Sequence, residues 1–195
     1  MGFKYDKMAF GKKDERIVVL HFRKPMRNGF AGMVSSRQYS HNIALVVDKT
    51  SNEVINYDFA CLATTPGNTS VRVMLDEDIF YGIKRNDKMA RTVLFHELGH
   101  YANNHLKNGM ADMNAYDQKR YEIAQQGNVI EQEQQADLYA VRYLGLDYVY
   151  DGLFALRERL LPLLSDGVHE EDEVKTAISE LDSRLLILKS MENRR

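Results

Sequence analysis

Two histidines four residues apart, with a glutamate beside the first, are the residues of this chain best suited to do chemistry. They stand in the stretch His96-Glu97-Leu98-Gly99-His100, the pattern HExxH. On an α-helix, residues four apart lie on one face about one turn from each other, so both imidazoles can reach one zinc ion. Glu97 is then placed to accept a proton from a zinc-activated water. The alternative is a buried helix with two hydrogen-bonded histidines.

A second stretch, Glu133-Gln134-Gln135-Ala136-Asp137, supplies two carboxylates four residues apart. A catalytic zinc needs three protein ligands and an open position, and Glu133 completes that count with the two histidines. Asp137 follows one turn later on the same face, where it can accept the second ring N–H of a liganding histidine. Glu131 competes as third ligand, but it lies about 200° from Glu133 around the helix, so only one can face the zinc. The spacing to Asp137 favours Glu133.

Two further residues of the first stretch bear on the site. His105 lies nine residues after His96 and therefore about 180° around the helix, which excludes it from the same metal while the helix continues. The longer pattern HExxHxxGxxH is also excluded, because Asn103 and Leu106 stand where it needs glycine and histidine. Gly99 weakens a helix by about 1 kcal/mol relative to alanine, which indicates that something packs closely against its backbone.

The first half of the chain reads as a small sheet. Residues 1–15 are polar and predict a loosely ordered arm, and the β-branched and aromatic runs that follow predict strands over residues 17–22, 43–47, 54–59 and 71–75. The second and third of these strands form a predicted hairpin. The last is a predicted edge strand, because Arg72 interrupts its apolar pattern. An exposed edge beside the zinc could hold an extended peptide by main-chain hydrogen bonds.

The second half of the chain reads as helical, because the hydrophobic period changes to 3.6 from residue 86. Asn86 is the predicted cap of the first helix, and the predicted helices cover about 86–107, 129–144, 152–161 and 170–192. We therefore expect an α+β fold in a single domain, residues 1–195, with a small, mostly antiparallel amino-terminal sheet packed on a helical half. The long connection 109–127 could cover the site as a lid.

The last predicted helix carries apolar residues spaced by four and three, as in a packing seam. They are Val174, Ile178, Leu181, Leu185 and Leu188. Such a seam folds back on its own core more often than it pairs with a second copy, so a homodimer through this helix is the alternative.

Composition excludes several classes of function. The formal net charge is −2 and the basic residues are scattered, so no nucleic-acid partner is expected. Cys61 is the one cysteine, which excludes an intrachain disulfide. The amino end has no apolar leader region, and no stretch approaches the roughly 18 apolar residues of a membrane span. A soluble, cytoplasmic protein with a peptide or protein substrate is expected.

The stretches His96 to His105 and Glu133 to Ala140 together resemble the HtpX and CAAX prenyl endopeptidase family of gluzincin metallopeptidases, whose pattern is HExxH…ExxxD. The resemblance covers roughly residues 70–180, the expected catalytic core, and is to the soluble, minimal members. It implies a zincin-type helical half, one Zn²⁺ ion per chain and peptide hydrolysis with Glu97 as general base.

The same resemblance implies one more catalytic residue. Family members carry a downstream histidine or arginine that helps to bind the tetrahedral intermediate, and the segment Ser165 to Glu170 is similar to that region. His169 is therefore the candidate. Tyr139, Arg142 and Tyr143 compete with it for this role.

Two other functions stay open on the sequence. One is a regulatory protease of the ImmA/IrrE type from a phage or mobile element, whose pattern also ends in Glu-x-x-Ala followed by a polar residue. The other is a non-catalytic, zinc-stabilised binding module. Glu97 argues against the binding module, because a purely structural zinc site is usually closed by four protein ligands and needs no general base.

Overall fold

The structure is a computed structural model that describes residues 4–47, 60–64, 71–103, 105, 128–166 and 170–192. Its described strands are β1 (Tyr5–Phe10), β2 (Ile17–Phe22), β3 (Phe30–Ser36), β4 (Ile43–Val47), β5 (Ala60–Thr64) and β6 (Val71–Leu75). Its described α-helices are α1 (Glu77–Lys84), α2 (Lys88–Ala102), α3 (Asn128–Leu144), α4 (Leu146–Leu160) and α5 (Glu171–Glu192). Short 3₁₀ turns cover Lys13–Glu15 and Leu161–Ser165.

The six strands form one sheet in the order β1-β2-β3-β4-β6-β5. All neighbouring strands are antiparallel except β4 and β6, which run parallel. Residues of β2 alternate strictly between buried and partly exposed, as expected when one face of a sheet covers a core and the other is solvated. The predicted α+β fold, with a mostly antiparallel sheet before a helical half, is confirmed.

Two predictions about the sheet are wrong. The described part of the predicted loose arm, residues 4–15, is ordered, because β1 pairs with β2 along its whole length and Phe10 packs edge-on against Phe95 of α2 with ring centroids 4.8 Å apart. The strand Val71–Leu75 is not an edge strand, because β5, which the polar surroundings of its sequence concealed, pairs with its outer side. The predicted strand over 54–59 lies outside the described residues.

Helix α2 is shorter than the apolar period predicts. Asp87, one residue after the predicted cap, accepts a hydrogen bond from the Ala90 N–H at 2.8 Å, whereas Asn86 adopts a positive φ of 63°. At the other end, the side-chain amide of Asn103 donates to the Gly99 carbonyl at 2.9 Å, and the helix ends at Ala102 instead of continuing to residue 107. This early end matters at the candidate site.

Helices and sheet share one hydrophobic core, and α2 runs through it. Leu94, Phe95 and Leu98 of α2 are fully buried, and α2 contacts α1, α3 and α4. The five seam residues of α5 are all buried inside the chain, so the seam folds back on its own core as expected. In the part of the chain that the structure describes, none of the helices has the length and apolar character to cross a membrane.

Candidate metal centre

Three side chains from two helices converge at one point. His96 and His100 of α2 present their Nε2 atoms to each other at 3.0 Å, and Glu133 of α3 brings its carboxylate to 2.9 Å from His96 and 3.5 Å from His100. One ligand atom from each of the three residues lies within 4.8 Å of the others, which is close enough to hold a metal ion. The two sequence stretches therefore meet in space as their spacing predicts.

A glycine lets the two helices approach. A Cβ atom on Gly99 would lie 2.7 Å from both the Cα and the carbonyl oxygen of Ala136, and 3.0 Å from the Cβ of Tyr139. No side chain fits there without moving α3, so the close packing that the glycine indicates is present. Because Gly99 precedes His100 and Ala136 follows Glu133 by three residues, this contact sets the separation of the ligands.

The outer nitrogen of His96 is held by a buried ion pair. Asp137 Oδ1 lies 2.8 Å from His96 Nδ1, the contact that its spacing from Glu133 predicts. Arg184 of α5 donates to the same carboxylate through Nε at 2.8 Å and Nη2 at 2.6 Å, and its Nη1 lies 3.5 Å from Glu133 Oε2. A bidentate arginine holds a carboxylate more rigidly than a single contact can. Helix α5 thus supports a site built on α2 and α3.

Sequence analysis missed Arg184, although a signal for it exists. It follows Leu181 by three residues and precedes Leu188 by four, so it belongs to the buried stripe of α5. A charged residue on the buried stripe of a helix is rarely there without a buried partner. Its partner was out of reach of the sequence, because Asp137 lies on another helix.

Electrostatics divide the two histidines. Burial and Arg184 lower the pKa of His96, but the carboxylates of Glu133 and Asp137 outweigh them and raise it to about 9. Burial and the neighbouring His96 lower the pKa of His100 to about 3. Burial opposes ionisation of Glu133, yet the two histidines and Arg184 hold its pKa well below the usual range. Without a metal, the His96 ring is therefore protonated at neutral pH, and the Glu133 carboxylate is ionised.

His105 occupies a position that a continuing helix would not give it. Helix α2 ends at Ala102, and His105 Nδ1 lies 2.8 Å from His100 Nδ1. Its Nε2 lies 3.0 Å from Gln135 Oε1, on α3. The predicted position about 180° around the helix is therefore wrong, and His105 contacts one of the three clustered residues without being one of them.

Glu97 and Glu131, the two other glutamates that the sequence assigns to the site, have different surroundings. Glu97 is partly buried on α2, directly after His96. Glu131 is exposed, accepts a hydrogen bond from Gln135 Nε2 at 3.3 Å and stands outside the ligand cluster. Of the two candidates for third ligand, the structure thus brings Glu133 to the histidines.

The three residues that compete with His169 for binding the tetrahedral intermediate have other hydrogen-bond or ion-pair partners. The Tyr139 and Tyr39 hydroxyls share a buried hydrogen bond of 2.6 Å. Arg142 pairs with Glu15 on the surface. The Tyr143 hydroxyl donates to Gln38 Oε1 at 3.1 Å. His169 lies outside the described residues, as does the connection 109–127.

The residues present fit a metal ion. Both histidines have their Nδ1 atoms engaged by other groups, so each ring turns Nε2 towards the carboxylate of Glu133. A tetrahedral zinc with ligand distances of about 2.0–2.1 Å separates its ligand atoms by about 3.3 Å. The two Nε2 atoms are 3.0 Å apart, and the two Glu133 oxygens lie at similar distances from them, Oε2 at 2.9 Å from His96 and Oε1 at 3.5 Å from His100. Two imidazoles and one carboxylate leave an open position at such an ion.

Comparisons of the chain with protein-family models, with curated proteins and with solved structures find no match. The geometry alone therefore defines the class of site: a histidine, histidine and glutamate group, supported by a buried carboxylate and arginine, that is close enough to bind a metal ion.

Proposed function

We propose that this chain is a zinc-dependent peptidase in which Glu97 is the general base. The observation that carries the proposal is the convergence of His96, His100 and Glu133 from two helices, with a carboxylate next to the first histidine in sequence. Three ligands with an open position are typical of catalytic zinc, whereas structural zinc sites are usually closed by four protein ligands.

The donor set favours zinc among common metals. Imidazole nitrogens with one carboxylate suit zinc better than magnesium or calcium, which prefer oxygen ligands. When bound, zinc supplies a Lewis acid that polarises a carbonyl group and makes a water molecule acidic near neutral pH. The chain's own residues must supply the rest of the reaction.

Each supporting residue then has a role. Glu97 takes a proton from the attacking water and passes it to the leaving amine, which is general base and then general acid catalysis. Asp137 keeps the Nδ1 proton on His96, so that the ring presents its Nε2 inward. Arg184 keeps Asp137 ionised and oriented by two hydrogen bonds.

Strand β5 is the best-placed described strand to bind a peptide. Among the described strands, β5 and β1 lie at the two ends of the sheet, and β5 contacts α2, which carries both histidines, more extensively than β1 does. An extended substrate can add to such an edge by main-chain hydrogen bonds with little demand on side-chain identity. This replaces β6 as the substrate strand, since β6 is paired on both sides.

The test of the catalytic proposal compares four variants on a peptide library, with bound zinc measured by mass spectrometry. Glu97→Gln should keep zinc and melting temperature but lose hydrolysis by several orders of magnitude. Glu133→Ala should lose zinc. Glu173→Gln is the matched control, an exposed glutamate outside the metal centre and its hydrogen-bonded neighbours that should keep both properties. Equal hydrolysis by Glu97→Gln and wild type would remove the general base, and zinc loss in Glu131→Ala but not Glu133→Ala would reverse the ligand assignment.

The substrate strand is tested by amide hydrogen exchange with a zinc-binding peptide hydroxamate. The N–H groups of β5 should exchange more slowly in the complex, while those of β1, the edge strand at the other end of the sheet, should not change. Protection of both edges, or of neither, would contradict binding along β5.

A further inference from the structure

Four side chains form a hydrogen-bonded chain from the buried site to the surface. It runs from His100 Nδ1 to His105 Nδ1 at 2.8 Å, from His105 Nε2 to Gln135 Oε1 at 3.0 Å and from Gln135 Nε2 to Glu131 Oε1 at 3.3 Å. The last residue is exposed, while His100 and His105 are partly buried. Both ring nitrogens of His105 are therefore in use.

The positions of the protons in this series of hydrogen bonds follow from Glu131, the residue at its exposed end. The Glu131 carboxylate can only accept, so the Gln135 amide nitrogen donates to it and the amide oxygen faces His105. His105 then donates through Nε2, and a ring with one proton has an acceptor at Nδ1. The His100 Nδ1–H donates to that acceptor, which leaves a lone pair on His100 Nε2, the atom that lies 3.0 Å from His96 Nε2.

His105 and Asn103 also link the end of α2 to α3, the two helices that carry the ligands, by hydrogen bonds. His105 lies beyond the end of α2, and it bonds Gln135, two residues after Glu133 on α3. Asn103 adds a second link, because its side-chain amide lies 3.4 Å from the Gln135 carbonyl oxygen.

We propose that His105 is a positioning residue for the metal site: it accepts the Nδ1–H of His100 and so selects Nε2 as the nitrogen that His100 offers to a metal. This rests on metal binding by His96, His100 and Glu133, but not on peptide hydrolysis. His105 does for His100 what Asp137 does for His96. The two liganding histidines are then oriented by different chemical groups from different parts of the chain.

The first experiment needs no variant. Long-range ¹H–¹⁵N correlation spectra of the zinc-free 195-residue chain report which ring nitrogen carries a proton. The expected result is a proton on Nδ1 of His100 and on Nε2 of His105. A proton on Nε2 of His100, or on Nδ1 of His105, would overturn the proposal.

The second experiment measures zinc affinity by competition with a chelator. His105→Phe keeps a ring but has no acceptor, and it should bind zinc about 10- to 100-fold more weakly, the usual effect of losing a hydrogen-bond partner of a liganding histidine. His105→Asn places an acceptor oxygen near the original Nδ1 and should restore most of the affinity. His41→Phe, which removes an exposed histidine, is the matched control and should bind as wild type does.

The outcomes separate this proposal from the proposed activity. Wild-type affinity in His105→Phe would overturn it, and so would His105→Asn binding as weakly as His105→Phe, because packing alone would then explain the loss. A protein that binds zinc and shows the expected spectra but cleaves no peptide would sink the peptidase and leave His105 in its role. A wild-type protein that binds no zinc would overturn both.

Discussion

Gly99→Ala should damage the metal centre although alanine is the better helix former. The added Cβ would meet two backbone atoms of Ala136 at 2.7 Å, where ordinary contact begins at 3.4 Å. Backbone atoms cannot rotate away, so α3 must move from α2 by about 0.7 Å, the difference between those two distances. Overpacking of this kind costs about 1–3 kcal/mol, of which about 1 kcal/mol is offset by helix propensity.

The effect on the metal should exceed the effect on stability. His96 and His100 lie on one side of this contact and Glu133 on the other, so a separation of about 0.7 Å falls largely on the ligand distances. A zinc site tolerates only about 0.2 Å in each ligand distance. We therefore expect zinc affinity to fall at least 10-fold, with a modest loss in the free energy of unfolding of the zinc-free protein.

Gly152→Ala is the matched control. A Cβ there would meet Thr92 Oγ1 at 2.1 Å and the Lys88 carbonyl oxygen at 2.8 Å, so it overpacks α2 against α4 instead of α3. The variant should lose stability but keep its zinc affinity, because no ligand lies on α4. Chelator competition and denaturant unfolding of both variants would test this. Wild-type affinity in Gly99→Ala, or an equal loss in Gly152→Ala, would refute the reasoning.

Three further predictions concern the groups around the site. Arg184→Met removes the bidentate partner of the buried Asp137 carboxylate and leaves it paired with His96, so it should cost about 3 kcal/mol of unfolding free energy at neutral pH. Burial raises the Asp137 pKa, but Arg184 and His96 together lower it, so this difference should shrink as acid protonates that carboxyl. A constant difference would contradict this. Zinc binding at pH 7.5 should release close to one proton, because the metal-free His96 pKa of about 9 keeps that ring protonated. Calorimetry in buffers of different ionisation enthalpy measures the number of protons released. The absence of proton release would contradict the prediction. Tyr39→Phe strands the Tyr139 hydroxyl and should cost about 1–3 kcal/mol, whereas the double phenylalanine variant should recover most of it in denaturant unfolding.

Features that depend on one helix could be predicted from the sequence. The four-residue spacings of His96 with His100 and of Glu133 with Asp137 become shared faces in any α-helix, because the rise and rotation per residue are constant. Gly99 indicated a close backbone contact for a similar reason. A glycine lowers helix stability wherever it stands, so a glycine inside a helix indicates that close packing requires it. The mostly antiparallel sheet followed by helices was also readable, from the change of hydrophobic period.

Extrapolation failed where an element ended or where a partner lay far along the chain. His105 was placed on the far side of α2 because the apolar period predicts a longer helix, yet the helix ends at Ala102 with Asn103 as its cap, and His105 contacts His100. The strand β1 is ordered by pairing with β2, which its own polar residues do not require.

The order of the strands and the place of Arg184 were decided by the tertiary structure alone. The sequence of Val71–Leu75 does not predict that β5 pairs with its outer side, and the sequence around Asp137 does not predict an arginine partner on α5. Within an element, the backbone geometry relates neighbours at fixed distances, so the spacing of residue types is informative. Between elements, the partner is chosen by the free energy of packing the whole chain, to which every buried side chain contributes, and a local pattern does not contain that sum.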